Sequence, residues 1–351
     1  KSTVYNKESD VISTQTDDIT VAAGKTETIS QSVDVANPKL WSVDSPNLYW
    51  VRTEIIQNGK VVDRTDSRFG IRYIATNPNS GFYLNGVHTK LNGVCEHSDL
   101  GSLGMETYQA AVDRRIRTLK KYGVNAIRTS HNPVSPEFIE ACDRLGMLVF
   151  EEAFDQWLYS KNSDDYHNYF NKAADGKTVV FDKAGNDNTN NDTSYIEVKR
   201  EDLQSNAERD IKAMVDRDKN APCIFAWSTG NEIYDARYKH GENTLDMLTG
   251  WIKEIDTTRP VAACPPTWDN YWANNAQQEK HLAKAEMSGF NYATGQYDGA
   301  HSRYPNMVIF GSETVSAYYY RGVYFLEGEG SGDRCNEYPT YWTFSSATAS
   351  L

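Results

Sequence analysis

The chain has 351 residues, 39% of them hydrophobic and 24% charged, with a formal net charge of −12. That is enough length for two ordinary domains and enough apolar material for a packed core, while no apolar run approaches the roughly 18 residues that a membrane span needs. So acidic a surface repels nucleic acid and anionic lipid, and it leaves a neutral small-molecule substrate open.

The first 75 residues are β-like. Thr20-Val21-Ala22-Ala23-Gly24 reads as a strand running into a turn. Leu48 to Ile56 is rich in β-branched and aromatic residues, and Asn58-Gly59 before Val61-Val62 is a strong hairpin signal. Short strands broken by turns predict a β-sandwich, here a partial one over residues 1–75.

After Gly81 the pattern changes. A hairpin over Gly81–Gly86 leads to a strand at Lys90-Leu91-Asn92-Gly93-Val94. Tyr108, Val112, Ile116, Leu119 and Tyr122 recur at helical spacing, and Gly123 ends that helix. Val124–Arg128 is the next strand. A helix carrying Phe138, Ile139, Cys142 and Leu145 stops at Gly146, and Met147–Phe150 follows as a strand. Between Lys161 and Asp192 the composition turns to Asn, Asp, Gly and Lys, which predicts a long exposed loop over about 161–195. A helix with Leu203, Ala207, Ile211, Met214 and Val215 comes next, then the apolar strand Cys223–Trp227. A helix with Leu248, Trp251, Ile252 and Ile255 leads to Pro260-Val261-Ala262, and Met287–Phe290 and Met307–Phe310 close the series.

Short, fully apolar strands alternating with helices imply a parallel sheet covered by helices. The order predicts an α/β (β/α)8 barrel over residues 76–351, with seven strands legible between Lys90 and Phe310. Tyr341-Trp342-Thr343-Phe344 is the remaining apolar material for an eighth strand.

Polar residues cluster just after the strand ends, where barrel enzymes carry their chemistry. Ser228-Thr229-Gly230-Asn231-Glu232 follows one strand and Gly311-Ser312-Glu313-Thr314 another. Two carboxylates thus reach one face from two strands. Glycoside hydrolysis needs such a pair, and a gap of about 5–5.5 Å between them means retention through a covalent intermediate. A lone glutamate after a strand is usually a surface or capping residue; two, each behind a glycine-containing turn, point to a hydrolase.

Four segments also resemble one known family. Trp227-Ser228-Thr229-Gly230-Asn231-Glu232 is similar to the Asn-Glu signature of glycoside hydrolase family 2, and Arg128-Thr129-Ser130-His131-Asn132-Pro133 to its Arg-x-Ser-His-x-Pro element. Phe310-Gly311-Ser312-Glu313 resembles its nucleophile strand, and Phe69-Gly70-Ile71-Arg72 its exit from the sandwich. The four occur in the family's order between about Leu40 and Tyr324. The resemblance implies an immunoglobulin-like sandwich ahead of the barrel and a retaining exo-β-glycosidase acting on terminal β-D-galactosides. The same family holds β-glucuronidases and β-mannosidases, and a non-catalytic carbohydrate-binding scaffold is the third reading. A scaffold would be expected to have lost one carboxylate.

By position, the resemblance makes Glu232 the general acid/base, Glu313 the nucleophile and Arg128 the group that keeps Glu313 charged and oriented. Asn231 would bind the sugar 2-hydroxyl, His97 and His131 would donate to sugar hydroxyls, and Tyr292 would bond the nucleophile. Asp155 and Trp157 would shape the sugar pocket or serve as scaffold, and Asp99 reads equally as a turn residue. Some relatives hold Mg²⁺ through a Glu and a His two positions later; Gln156 and Leu158 stand there instead, and leucine cannot ligate a hard cation. Neither a metal nor another cofactor is expected. The expected partner is a carbohydrate substrate, with neither nucleic acid nor membrane, and a homo-oligomer remains compatible. Cys95, Cys142, Cys223, Cys264 and Cys335 form no Cys-x-x-Cys pair and are odd in number, which predicts free thiols. The chain opens on Lys1 and reads as an excised fragment, so its lack of a leader leaves a cytoplasmic and a periplasmic or secreted bacterial location equally open.

Overall fold

A computed structural model describes residues 1–157, 206–267 and 275–314. The loop expected over about 161–195, the eighth-strand material at Tyr341–Phe344 and Cys335 lie outside them.

Three sheets organise these residues. The first is antiparallel, in the order β2-β1-β3-β4, from β1 (Ser2–Asn6), β2 (Val11–Gln15), β3 (Tyr49–Gln57) and β4 (Lys60–Phe69). β3 and β4 join through the expected hairpin: Gln57 pairs with Lys60, and Asn58 and Gly59 both have positive φ, the conformation that a two-residue turn matched to strand twist requires. The strand expected at Thr20–Ala23 is absent. That stretch is exposed throughout and keeps only its turn, where Lys25 N donates to Ala22 O at 3.0 Å. No residue of that stretch is buried against a neighbour.

A small antiparallel sheet, β5-β6-β7 (Ile74–Asn77, Gly81–Leu84, Val87–His88), leads into the parallel one. The seven parallel strands lie strictly in chain order: β8 (Gly93–His97), β9 (Ala126–Ser130), β10 (Leu148–Glu152), β11 (Ile224–Asn231), β12 (Val261–Cys264), β13 (Met287–Asn291) and β14 (Ile309–Glu313). Strands added one by one in a single direction are the signature of a barrel wall, in contrast to a doubly wound sheet. Helices Gln109–Lys121, Pro136–Leu145, Asn206–Asp218, Lys239–Lys253 and Ala276–Lys284 fall between them. Helix Pro136–Leu145 shows why the local sequence is decisive. Ser135 accepts from Phe138 N, proline opens the first turn, and Gly146 closes the helix in the left-handed conformation. A Cβ at Gly146 would stand 2.3 Å from Val43 O, so this cap is fixed by packing as well.

The core runs through the inside of the strands. Phe82 plugs the base and meets Phe225 at 5.3 Å between ring centroids; Phe150 touches both Phe225 (5.9 Å) and Phe310 (5.2 Å). Each such burial contributes roughly 1.5–3 kcal/mol. The sandwich docks through buried and half-buried polar contacts. Trp41 Nε1 donates to Asp143 O at 2.8 Å, Arg68 pairs with Asp143 at 2.9 Å, and Arg72 donates to the carbonyls of Pro222 and Ile224, both at 2.8 Å. Arg72 and the close approach of Gly70 to Pro222 explain the Phe-Gly-x-Arg stretch. The described cysteines Cys95, Cys142, Cys223 and Cys264 are free thiols.

Candidate active site

Above the phenylalanine layer the barrel interior becomes polar, because the last residues of several strands carry polar side chains while still paired in the sheet. β9 contributes Arg128, β10 Glu152, β11 Ser228 and Asn231, β13 Asn291, and β14 Ser312 and Glu313. All but Glu313, which is half-buried, are buried. Glu232 and Tyr292 follow β11 and β13 directly, and both have positive φ, 45° and 52°. The two strand ends are built alike: a buried asparagine, a residue held in a left-handed conformation, a buried apolar residue (Ile233, Ala293) and a 3-10 turn. Side chains held this way cost local strain, which the surrounding packing must outweigh and which recurs at functional sites.

Glu232 and Glu313 come together. Asn291 Nδ2 donates to Glu232 Oε1 at 3.1 Å and to Glu313 Oε2 at 3.3 Å. Arg128 Nη1 reaches the same Glu313 oxygen at 3.1 Å, and the Tyr292 hydroxyl donates to Glu313 Oε1. Burial, and then the bond to this carboxylate, push the Tyr292 phenol well above its ordinary pKa, so it stays a donor.

Behind this pair lies Glu152, which the sequence did not single out. It is fully buried. Its Oε2 accepts from Arg128 Nη2 (2.8 Å), Arg128 Nε (3.2 Å) and Ser228 Oγ (2.7 Å), and its Oε1 lies 2.7 Å from His131 Nδ1. Burial alone would raise its pKa. The Arg128 charge, with His131 and Ser228, more than offsets that and holds the carboxyl below its ordinary value. Arg128 is therefore shared between two carboxylates and also donates to Asn231 Oδ1 at 2.8 Å.

The remaining expected residues divide. His131 and His97 meet edge to face at 5.4 Å and, with Asp155, line a cleft of about 870 Å³, which joins the site through His131 on Glu152 and Asp155 on Asn231. Asn231 is buried and donates to Asp155 Oδ1 at 2.9 Å. Trp157 offers no surface to a ligand: it is fully buried, and its indole N–H donates to Thr229 O at 2.8 Å. Of its two readings, scaffold is the one the packing matches. Asp99 is a turn residue, accepting from Gly101 N. The donor set does not fit a divalent cation at the stretch after β10. Gln156 offers one neutral amide, Leu158 brings no donor atom and lies outside the described residues, and among the described residues no group of three His, Cys, Asp or Glu is placed to share an ion.

Glu152 and Asn291 were missed for one reason. Neither belongs to a motif that announces chemistry, and only strand alternation, which turns Glu152 inward and Glu151 outward, could have marked the first.

Comparison with known proteins gives the family. Residues 76–280 match the family model described as "Glycosyl hydrolases family 2, TIM barrel domain", and residues 1–72 match "Glycosyl hydrolases family 2". The chain is 31% identical over 363 residues to β-galactosidase BoGH2A of Bacteroides ovatus, covering 94% of this chain and 37% of that protein. It is 36% identical over 230 residues to a putative β-glucuronidase of Formosa agariphila, covering 66% of this chain and 18% of that protein. A solved glycosyl hydrolase family 2 member from Bacteroides cellulosilyticus superposes with a TM-score of 0.76 at 33% identity, over 90% of this chain and 36% of that one. The chain thus spans well under half the length of these relatives.

Proposed function

Because this chain belongs to glycoside hydrolase family 2, we propose that the protein carrying it is a retaining exo-β-glycosidase that removes terminal β-D-galactosyl residues, with Glu313 as nucleophile and Glu232 as general acid/base. The observation that carries this reading is the single amide nitrogen within 3.1 Å of one carboxylate and 3.3 Å of the other. A donor within hydrogen-bond reach of both carboxylates suits the close spacing, about 5–5.5 Å, of a retaining pair.

In the first step the ionised Glu313 attacks the anomeric carbon while Glu232 gives its proton to the departing glycosidic oxygen. A covalent glycosyl ester forms and the aglycone leaves. Glu232, now a carboxylate, takes a proton from the incoming water, whose oxygen displaces Glu313 from the anomeric carbon. Arg128 and Tyr292 hold Glu313 aimed. Asn231 meets the sugar 2-hydroxyl, and His97, His131 and Asp155 face the sugar from the cleft.

Galactose is favoured over glucuronic acid by charge. Among the described residues, the cation on Glu313, Arg128, is already divided between Glu152 and Glu313, which suits a neutral sugar. Full-length protein should hydrolyse nitrophenyl β-D-galactoside faster than the glucuronide or mannoside. Turnover of the glucuronide alone would replace the substrate and keep the mechanism; no turnover of any of the three would sink both.

A further inference from the structure

Asn291 enters no step of that reaction, yet it touches both reacting carboxylates. It is fully buried at the end of β13, with its amide nitrogen 3.1 Å from Glu232 Oε1, 3.3 Å from Glu313 Oε2 and 3.3 Å from Asn231 Oδ1. Its orientation is fixed from behind. Ser312 Oγ lies 2.6 Å from Asn291 Oδ1 and donates to it, so the opposite, nitrogen-bearing end must face the carboxylates. The backbone is pinned as well: Asn291 N donates to Thr267 Oγ1 at 2.7 Å, and that hydroxyl donates to Asn291 O at 2.8 Å. An asparagine kept only to finish a strand would need none of the carboxylate contacts.

A double displacement moves negative charge across this pair. Glu313 carries it before the sugar binds covalently, and Glu232 carries it in the glycosyl-enzyme. Two amide hydrogens face three acceptors, so their sharing can shift with the charge while no heavy atom moves. We propose that Asn291 is a positioning residue that bridges the reacting pair, holding the two carboxylates at their working separation and donating to whichever of them bears the charge. This rests on the assignment of Glu232 and Glu313 made above. A preorganised donor that needs no rearrangement as charge develops is the arrangement that lowers barriers most.

The test is a titration that needs no turnover. Glutamate is labelled with ¹³C at the side-chain carboxyl in the full chain, and the Glu232 and Glu313 resonances are assigned with Glu232→Gln and Glu313→Gln. Asn291→Leu keeps the volume and removes the donor. The other groups facing the pair stay in place: Arg128 from β9 with Glu152 of β10 behind it, Cys95 from β8, and Tyr292 after β13. Loss of a donor to a carboxylate disfavours its ionised form, so both midpoints should rise, by roughly one pH unit. Unchanged midpoints in a folded Asn291→Leu protein would overturn the proposal. Should leucine prevent folding, Ser312→Ala unfixes the amide and should move both midpoints upward by less, and no movement there would overturn it equally. In the full-length enzyme both limbs of the kcat/KM pH profile should follow. Failure of the galactosidase reading would show separately, as absence of turnover in the unsubstituted protein, with the titration still deciding the role of Asn291.

Discussion

Glu152 takes two nitrogens of Arg128, Nη2 at 2.8 Å and Nε at 3.2 Å, and leaves Nη1 to the proposed nucleophile. A fully buried carboxylate therefore sets how the guanidinium is presented to the reacting one. Removing Arg128 strands Glu152 without its main countercharge, and an uncompensated buried charge costs about 3–5 kcal/mol. Arg128→Ala should lower the denaturation midpoint markedly as well as abolish activity. Arg128→Lys should recover part of the stability and little activity, since a single ammonium cannot serve both carboxylates with the fork geometry. Thermal denaturation beside an activity assay separates the two effects.

The depressed pKa of Glu152 has a stability consequence. Its folded value lies below its unfolded one, so its contribution is fully present above about pH 4.5 and is lost as pH falls through the folded value. Glu152→Gln should flatten that part of the acid-unfolding curve, read by circular dichroism on the acid side of about pH 4.5. An unchanged acid limb would show that other carboxylates set it.

Tyr292→Phe removes a donor to Glu313 and keeps the ring. The expected result is a fall in kcat on the order of 10²–10³, with KM little changed, because the bond acts on the charge of the nucleophile more than on substrate affinity. A fall confined to KM would make Tyr292 a sugar contact.

Asp256 and Arg259 provide a control outside the candidate site. Asp256 accepts from Trp227 Nε1 at 2.9 Å and pairs with the buried Arg259 at 2.5 Å. Burial opposes its charge, but Arg259 and Thr258 outweigh that and hold its pKa down at about 2. Its contribution should persist above about pH 4 and fade only as pH falls through about 2. Asp256→Asn should destabilise by several kcal/mol in denaturant titration, roughly the cost of breaking a buried pair, and leave the pH profile of any residual turnover unmoved.

Gly289 marks how tightly the site is backed. A Cβ there would stand 2.5 Å from Cys264 Sγ and 2.6 Å from Ser312 Oγ. Gly289→Ala should cost about 1–3 kcal/mol from overpacking and, by displacing Ser312, reduce activity more than the stability loss explains. Activity measured at a temperature where the variant is fully folded is the check.

The barrel and the two glutamates were legible because short apolar strands alternating with helices leave few alternatives, and because both carboxylates sit directly after such strands. Strand ends were not legible. The apolar run Cys223–Trp227 reads as a five-residue strand, whereas β11 continues through Ser228–Asn231, and β8 likewise begins at Gly93 and runs to His97 beyond the expected Lys90–Val94. In each case polar residues at the top of the barrel remain hydrogen-bonded in the sheet, and hydrophobicity stops reporting the strand where the site begins. Glu152 and Asn291 fell in that blind zone. Thr20–Ala23 shows the opposite error, a propensity for strand with no face to bury.

The most direct test is covalent trapping. Full-length protein is incubated with a 2-deoxy-2-fluoro-β-D-galactosyl donor bearing a good leaving group, then digested, and the labelled peptide is sequenced by mass spectrometry. Label on the peptide containing Glu313, on that residue, is the predicted result, with trapping slowed in Glu232→Ala for donors that need acid assistance. Label on any other carboxylate, or hydrolysis that releases the inverted anomer with no adduct, would contradict the account.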